Sequence, residues 1–171
     1  MKYPSVSIIC TVYNEAETIG LLLESFKAQT LKATEIIICD GGSTDKTVED
    51  VTKFANQHPS LHIKLLTKEG NRSVGRNAAI AASTTKVIAI TDAGCRPEND
   101  WLEQLLIAYQ QGTANVVAGY YKGRARTSFE EAVIPYVLVM LDKVNPQSFL
   151  PATRSMLIEK KVWQQLDGFD E

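Results

Sequence analysis

An α/β fold, a mainly parallel sheet covered by helices on both faces, is what this sequence predicts. Three observations carry the prediction. Short apolar runs rich in branched residues alternate with stretches of helical period, and the rhythm repeats five times before Tyr120. The runs at Ile36–Cys39 and Val87–Ile90 are continuously apolar, as strands buried on both faces are. Both then meet an acid, Asp40 or Asp92, followed by small residues where a strand hands over to a turn.

The elements follow in order. Val6–Thr11 is the first strand. Asn14 is expected to cap the helix after it, with Glu17 completing a capping box. Ile19, Leu22, Leu23 and Phe26 then fall at i, i+3, i+4 and i+7, one apolar stripe for the sheet. Glu35–Asp40 is the second strand, Gly41–Asp45 a turn, and the next helix shows Val48, Val51, Phe54 and Ala55. His62–Leu66 is the third strand. Ser73 is the expected cap of a small-residue helix, Val74–Ala82, whose alanines allow close packing. The fourth strand opens at Val87. The helix after it starts near Pro97, carries Leu102, Leu105, Leu106 and Tyr109, and stops at Gly112. Asn115–Tyr120 is the fifth strand. After Gly123 the rhythm breaks. Ser128 and Glu131 read as a capping box, and Phe129, Val133, Tyr136, Val137 and Met140 form an apolar stripe expected to pack inward. Pro135 is expected to kink that helix or delay its start. A short strand, Ser155–Ile158, and a helix, Lys160–Leu166, ended by Gly168, close the chain.

Length and composition narrow the function. With 171 residues the chain reads as one domain, 1–171, long enough to bury a core. A net charge of −2 argues against nucleic acid as a partner, since phosphate backbones demand a clustered positive surface. The only basic cluster, Lys122, Arg124 and Arg126, is small. There is no apolar signal core, and no stretch reaches the ~20 apolar residues of a membrane span. Three cysteines lack zinc spacing, and Cys10 and Cys39 sit in strands as small hydrophobes. A cytoplasmic setting is the expectation.

Chemistry is expected at the strand ends, because open α/β sheets bind ligands outside the carboxyl ends of their strands. Asp92 ends a strand buried on both faces, although an acid there also serves as a plain helix cap. No Gly-x-Gly-x-x-Gly follows the first strand, and no phosphate loop with Lys-Ser or Lys-Thr occurs. Glu15 and Glu17 instead occupy the positive end of the first helix and would repel a phosphate. A nucleotide at this crevice therefore meets the first strand with its base or ribose, unless the two acids are ordinary helix-start residues. Asp40 fits the N–H edge of a base such as uracil. Arg76, inside a helix of small residues, either reaches solvent or binds a diphosphate in bidentate fashion, with Arg72 its competitor. Asp40, Arg76 and Asp92 come from successive strand-end regions and are expected to share one crevice around a sugar nucleotide.

The segments Ser7-Ile8-Ile9-Cys10-Thr11-Val12-Tyr13-Asn14-Glu15, Asp40-Gly41-Gly42-Ser43-Thr44-Asp45-Lys46-Thr47, Gly75-Arg76-Asn77-Ala78-Ala79 and Thr91-Asp92-Ala93-Gly94 resemble, in order, the landmarks of family 2 glycosyltransferases. Gly168-Phe169-Asp170-Glu171 is similar to that family's Gly-Gly-Phe-Asp-Glu segment. The resemblance implies a Rossmann-like GT-A domain and inverting transfer of a sugar from a nucleoside diphosphate, usually UDP, to an acceptor hydroxyl of a saccharide, lipid or polymer. It places Thr11, Tyr13 and Glu15 around base and ribose, Asp40 on the base and Arg76 near the nucleotide. Asp92 becomes the first acid of the family's Asp-x-Asp signature, hence the candidate catalytic residue and ligand for Mg2+ or Mn2+. Two departures follow. Gly94 stands where the second acid is usual, with Cys95 next. The family's general base is expected beyond Glu171, so the chain reads as the donor-binding part.

Two other readings compete. A nucleotidyltransferase would carry a Gly- and Lys-bearing phosphate loop that Thr11–Glu17 lacks. A non-catalytic sugar-nucleotide module fits the altered acid pair. The Phe129–Leu141 stretch leaves open a peripheral contact with the inner face of a membrane, which Glu130 and Glu131 disfavour against packing on the core or the acceptor side.

Overall fold

The computed structural model describes residues 3–112 and 114–171. Its strands are β1 (Val6–Val12), β2 (Glu35–Asp40), β3 (Ile63–Thr67), β4 (Val87–Asp92), β5 (Val116–Ala118) and β6 (Met156–Glu159). Its helices are α1 (Ile19–Lys27), α2 (Thr47–Gln57), α3 (Arg72–Ala82), α4 (Trp101–Gln111), α5 (Ser128–Val137) and α6 (Lys160–Gln165). The strands form one sheet in the order β3-β2-β1-β4-β6-β5. β3, β2, β1 and β4 run parallel, and β6 inserts antiparallel between β4 and β5. The expected α/β class holds, but the parallel order is interrupted by β6. β5 is shorter than Asn115–Tyr120: Ala118 is its last paired residue, and beyond it only the Gly119 N–H reaches β6's side, bonding the Ser155 carbonyl at 2.9 Å.

Both faces of the sheet are covered. Ile8, Cys10, Ile36, Ile38 and Ala89 meet Leu22, Leu23 and Phe26 of α1, Val51 of α2 and Leu102 and Leu106 of α4. Ile9, Ile37, Cys39, Ile88 and Ile90 meet Ala79 and Ile80 of α3, with Val162 and Trp163 of α6 packed beside them. The small residues of α3 let it approach closely. A Cβ on Gly75 would stand 2.9 Å from Thr11 Cγ2. Burial pushes the Cys10 and Cys39 thiols up, so they behave as core groups.

Several helix starts differ from the sequence expectation, at α1, α3 and α5 because a nearby side chain makes a better bond. Asn14 is not a cap: it adopts φ 52, and its Oδ1 accepts from the Thr44 N–H at 2.9 Å, so α1 begins only at Ile19. The cap of α3 is Asn71, which accepts from the Ser73 and Val74 N–H groups. Thr127 caps α5 instead of Ser128, and Glu130 instead of Glu131 reaches back, to the Arg126 N–H at 2.6 Å. α4 starts at Trp101, four residues beyond Pro97. α6 ends in a Schellman turn, with Asp167 at φ 58 and the Gly168 N–H on the Trp163 carbonyl. The stripe expected to pack inward does not: Phe129 is 78 % and Tyr136 89 % exposed. Of that stripe only Val133 is half-buried, as is its neighbour Ile134, which lies against Gly123.

Candidate functional site at the strand tips

The carboxyl ends of β2, β1 and β4 lie side by side. Val12 is in register with Asp40, and Thr11 with Asp92. The loop after β1 and the loop after β2 are laced together. Asn14 N–H bonds Ser43 Oγ at 2.8 Å, Glu15 N–H bonds Thr47 Oγ1 at 2.7 Å, and Ala16 N–H bonds Asp45 Oδ2 at 3.0 Å. Tyr13 therefore stands on a braced loop, 60 % exposed. A Cβ on Gly41, the residue after Asp40, would lie 3.6 Å from its ring.

Asp40 is 1 % exposed. One carboxylate oxygen, Oδ2, accepts from the Gly42 and Ser43 N–H groups, each at 2.9 Å. The other, Oδ1, is buried with no donor. A buried acceptor without a partner is costly, so it marks either a missing ligand or a reservoir of strain. The Glu15 carboxylate accepts from the Thr18 hydroxyl of its own loop.

On the other side of β1, Arg76 of α3 donates from Nη2 to Asp92 Oδ1 at 2.7 Å. The pair is largely enclosed, with side-chain exposures of 10 % and 22 %, and Arg76 Nε is buried without an acceptor. The two groups expected to meet a diphosphate and a metal are thus bonded to each other. Because side chains alternate along a strand, Asp40 continues the Ile36–Ile38 row and Asp92 the Ile88–Ile90 row, on opposite faces. Asp40 and Asp92 share an edge, two strand spacings or ~10 Å apart, but do not touch. Thr11 faces α3, against Gly75.

Among the described residues no group of three or more His, Cys, Asp or Glu could hold a metal ion. Asp92 Oδ2 is the one carboxylate oxygen left on the β4 tip, where Gly94 adds none. That donor set suits only an ion shared with the phosphate oxygens of a bound ligand. Two shallow hollows lie elsewhere, between α1 and α2 around Leu21 and Phe54, and beside Tyr3 and Tyr109.

One contributor escaped the sequence reading. Asn77, next to Arg76, bonds Trp163 and the Phe169–Glu171 segment. The available signal was an asparagine in the interior of a helix of small residues, a position its short amide disfavours.

Comparison with known proteins agrees with this fold. The model of the family described as "Glycosyl transferase family 2" matches residues 7–164. Glycosyltransferase AglE of Haloferax volcanii is 34% identical over 103 residues, 59% of this chain and 34% of that protein. The mannosyltransferase PcManGT of Pyrobaculum calidifontis, solved with GDP-Man and Mn2+, superposes with a TM-score of 0.78 at 22% identity, over 99% of this chain and 48% of that one. S. aureus TarS 1–349, solved with UDP, gives 0.68 at 19% identity, over 95% and 49%. The chain thus spans about a third of AglE and about half of the two solved chains. Among the described residues no helix is long and apolar enough to cross a membrane. A match over residues 7–164, most of its length, places this chain in glycosyl transferase family 2.

Proposed function

We propose that this chain is the donor-binding part of an inverting glycosyltransferase that takes a UDP-sugar and passes the sugar to an acceptor hydroxyl. The observation that carries the reading is Asp40 Oδ1, a buried acceptor without a donor, with the exposed Tyr13 ring packed against Gly41, the next residue. An imide N–H from a uracil edge supplies the missing donor, and the Tyr13 face supplies a stacking surface. Glu15 stands at the same tip, toward ribose hydroxyls, while Thr11 packs against Gly75 on the face of Asp92.

The chemistry needs little from the protein beyond placement and charge. A carboxylate removes the acceptor proton as the sugar carbon is attacked in line. Arg76 is the cation nearest the β4 tip, and a diphosphate entering there competes with Asp92 for its guanidinium. A divalent ion held between Asp92 and the phosphates would neutralise charge on the leaving diphosphate. A second reading, a sugar-nucleotide module without transfer, is favoured by Gly94 and by the closed Arg76–Asp92 pair. Release of UDP from a UDP-sugar separates the two.

The test is a thermal-shift panel of UDP, GDP, CDP and ADP with and without manganese, since a ligand bound to the native state raises Tm. UDP is expected to give the largest shift. Asp40→Asn keeps an oxygen for the Gly42–Ser43 turn but presents an N–H to the base. It is expected to weaken UDP binding about tenfold, more than ~1 kcal/mol, by calorimetry. Equal shifts from all four nucleotides, or an unchanged affinity in Asp40→Asn, would remove Asp40 and the base slot from the reading.

A further inference from the structure

Asn77 makes four hydrogen bonds, all to the last helix and the segment after it. Oδ1 accepts from Trp163 Nε1 at 3.0 Å and from the Phe169 N–H at 2.9 Å. Nδ2 donates to the Phe169 carbonyl at 2.8 Å and to Glu171 Oε1 at 3.0 Å. These bonds employ both lone pairs and both hydrogens of the amide. The segment is shaped to receive it. Asp167 and Gly168 both adopt positive φ, and a Cβ on Gly168 would stand 2.9 Å from Asn77 Oδ1.

The neighbouring residue on the same helix turn, Arg76, holds Asp92 at the tip of β4. Two consecutive residues of α3 therefore hold acids from two distant parts of the chain. Arg76 holds the β4 acid, and Asn77 holds the segment bearing Asp170 and Glu171. Their separation is set by a packed helix, with Gly75 seated against β1, and not by a loop.

We infer that Asn77 is a positioning residue for the transfer reaction: its amide fixes the acidic 168–171 segment beside Asp92, so that the acceptor side and the donor side keep their spacing. It touches neither substrate. The inference rests on the glycosyltransferase reading above. Its size follows from geometry, since a misplacement of ~1 Å at a reacting centre costs about a hundredfold in rate.

The test uses the full chain, UDP calorimetry, and UDP release from UDP-glucose, UDP-galactose and UDP-N-acetylglucosamine. Asn77→Ala is expected to keep the UDP Kd within about twofold and the donor KM nearly unchanged, while kcat falls tenfold or more. Asn77→Asp keeps the two acceptor bonds and regains a donor only when protonated. Beside the Glu171 carboxylate and the Phe169 carbonyl that carboxyl should titrate above its free value of about 3.9, so kcat relative to the parent at the same pH is expected to rise as pH falls from about 7 to about 4, which a loss of fold would not produce. Hydrogen exchange supplies a reading without substrate: the Phe169 amide should lose protection in Asn77→Ala while Ile9 keeps its own. An unchanged kcat, a Kd that weakens as much as kcat, or an unaltered Phe169 amide each overturns the inference. A parent that neither binds UDP nor releases it from any donor overturns the glycosyltransferase reading itself, and this role with it. A parent that does both, with an indifferent Asn77→Ala, overturns only the role of Asn77.

Discussion

Asp92→Ala is expected to lower the unfolding free energy of this chain by about 3 kcal/mol, the consequence of leaving an enclosed guanidinium unpaired. Arg76 is 8 % exposed, its Nη2 bonds Asp92 Oδ1 at 2.7 Å, and its Nε has no acceptor. With the carboxylate gone, the positive charge must strip the surrounding packing to reach water. The value lies at the low end for buried pairs because the Asp92 side chain is 22 % exposed. Arg76→Ala should cost less, about 1–2 kcal/mol, since the carboxylate it leaves behind is already partly hydrated. The double change with Arg76→Met, an apolar side chain of similar length, should recover much of the loss. Urea unfolding of the single and double variants decides it. A loss below ~1 kcal/mol in Asp92→Ala would mean that the guanidinium is solvated. The same variant bears on the ion: manganese should tighten UDP binding in the parent and not in Asp92→Ala, whereas an equal response places the ion elsewhere.

The second large effect is on stability against pH. Glu35 opens β2 at the end of the sheet opposite the site, and it is 3 % exposed. Burial pushes its carboxyl up, but hydrogen bonds from Lys64, Ser7 and Thr84 outweigh that and hold it at about 2, against an ordinary 4.5. Oε1 accepts from Ser7 Oγ at 2.6 Å, the Thr84 N–H at 2.7 Å and Thr84 Oγ1 at 2.8 Å, while Oε2 takes Lys64 Nζ at 2.6 Å. A folded value below the unfolded one means that the unfolded chain binds the proton first. The stabilisation is therefore complete above about pH 4.5 and is lost as pH falls toward about 2. Its size is about 2–3 kcal/mol, the lower figure allowing for the half-exposed Lys64 ammonium. Glu35→Gln should remove most of it at neutral pH and flatten the acid limb. A shallower slope should remain from Asp45 and Glu159, whose carboxyls are also held low by their hydrogen bonds. An acid limb identical in parent and Glu35→Gln would show that this network contributes nothing to the native state.

How much of this was legible beforehand depends on the range of the interaction. Ile36–Cys39 and Val87–Ile90 announced buried strands because a side chain hidden on both faces must be apolar at every position, and both segments are buried throughout. The i, i+3, i+4 stripe of α1 announced its buried face, since Ile19, Leu22, Leu23 and Phe26 all lie in the core. The caps were less legible. Asn14, Ser73 and Ser128 had suitable chemistry, but Thr44, Asn71 and Thr127 offered or took the better bond nearby. The Phe129–Tyr136 stripe had helical period, and period alone does not say what a helix packs against.

By itself the sequence determined the α/β class, most of the strands, the carboxylates at two strand tips and the family, because these rest on local periodicity and on motifs a few residues long. Only the tertiary structure decided that Arg76 bonds Asp92, that Asp40 faces the other layer with an unmatched oxygen, that β6 enters antiparallel, and that one asparagine holds the far end of the chain. Each of those outcomes depends on which strands become neighbours and how far α3 sinks against Thr11. Such choices are settled by packing between residues dozens of positions apart, and no short stretch of chain carries them.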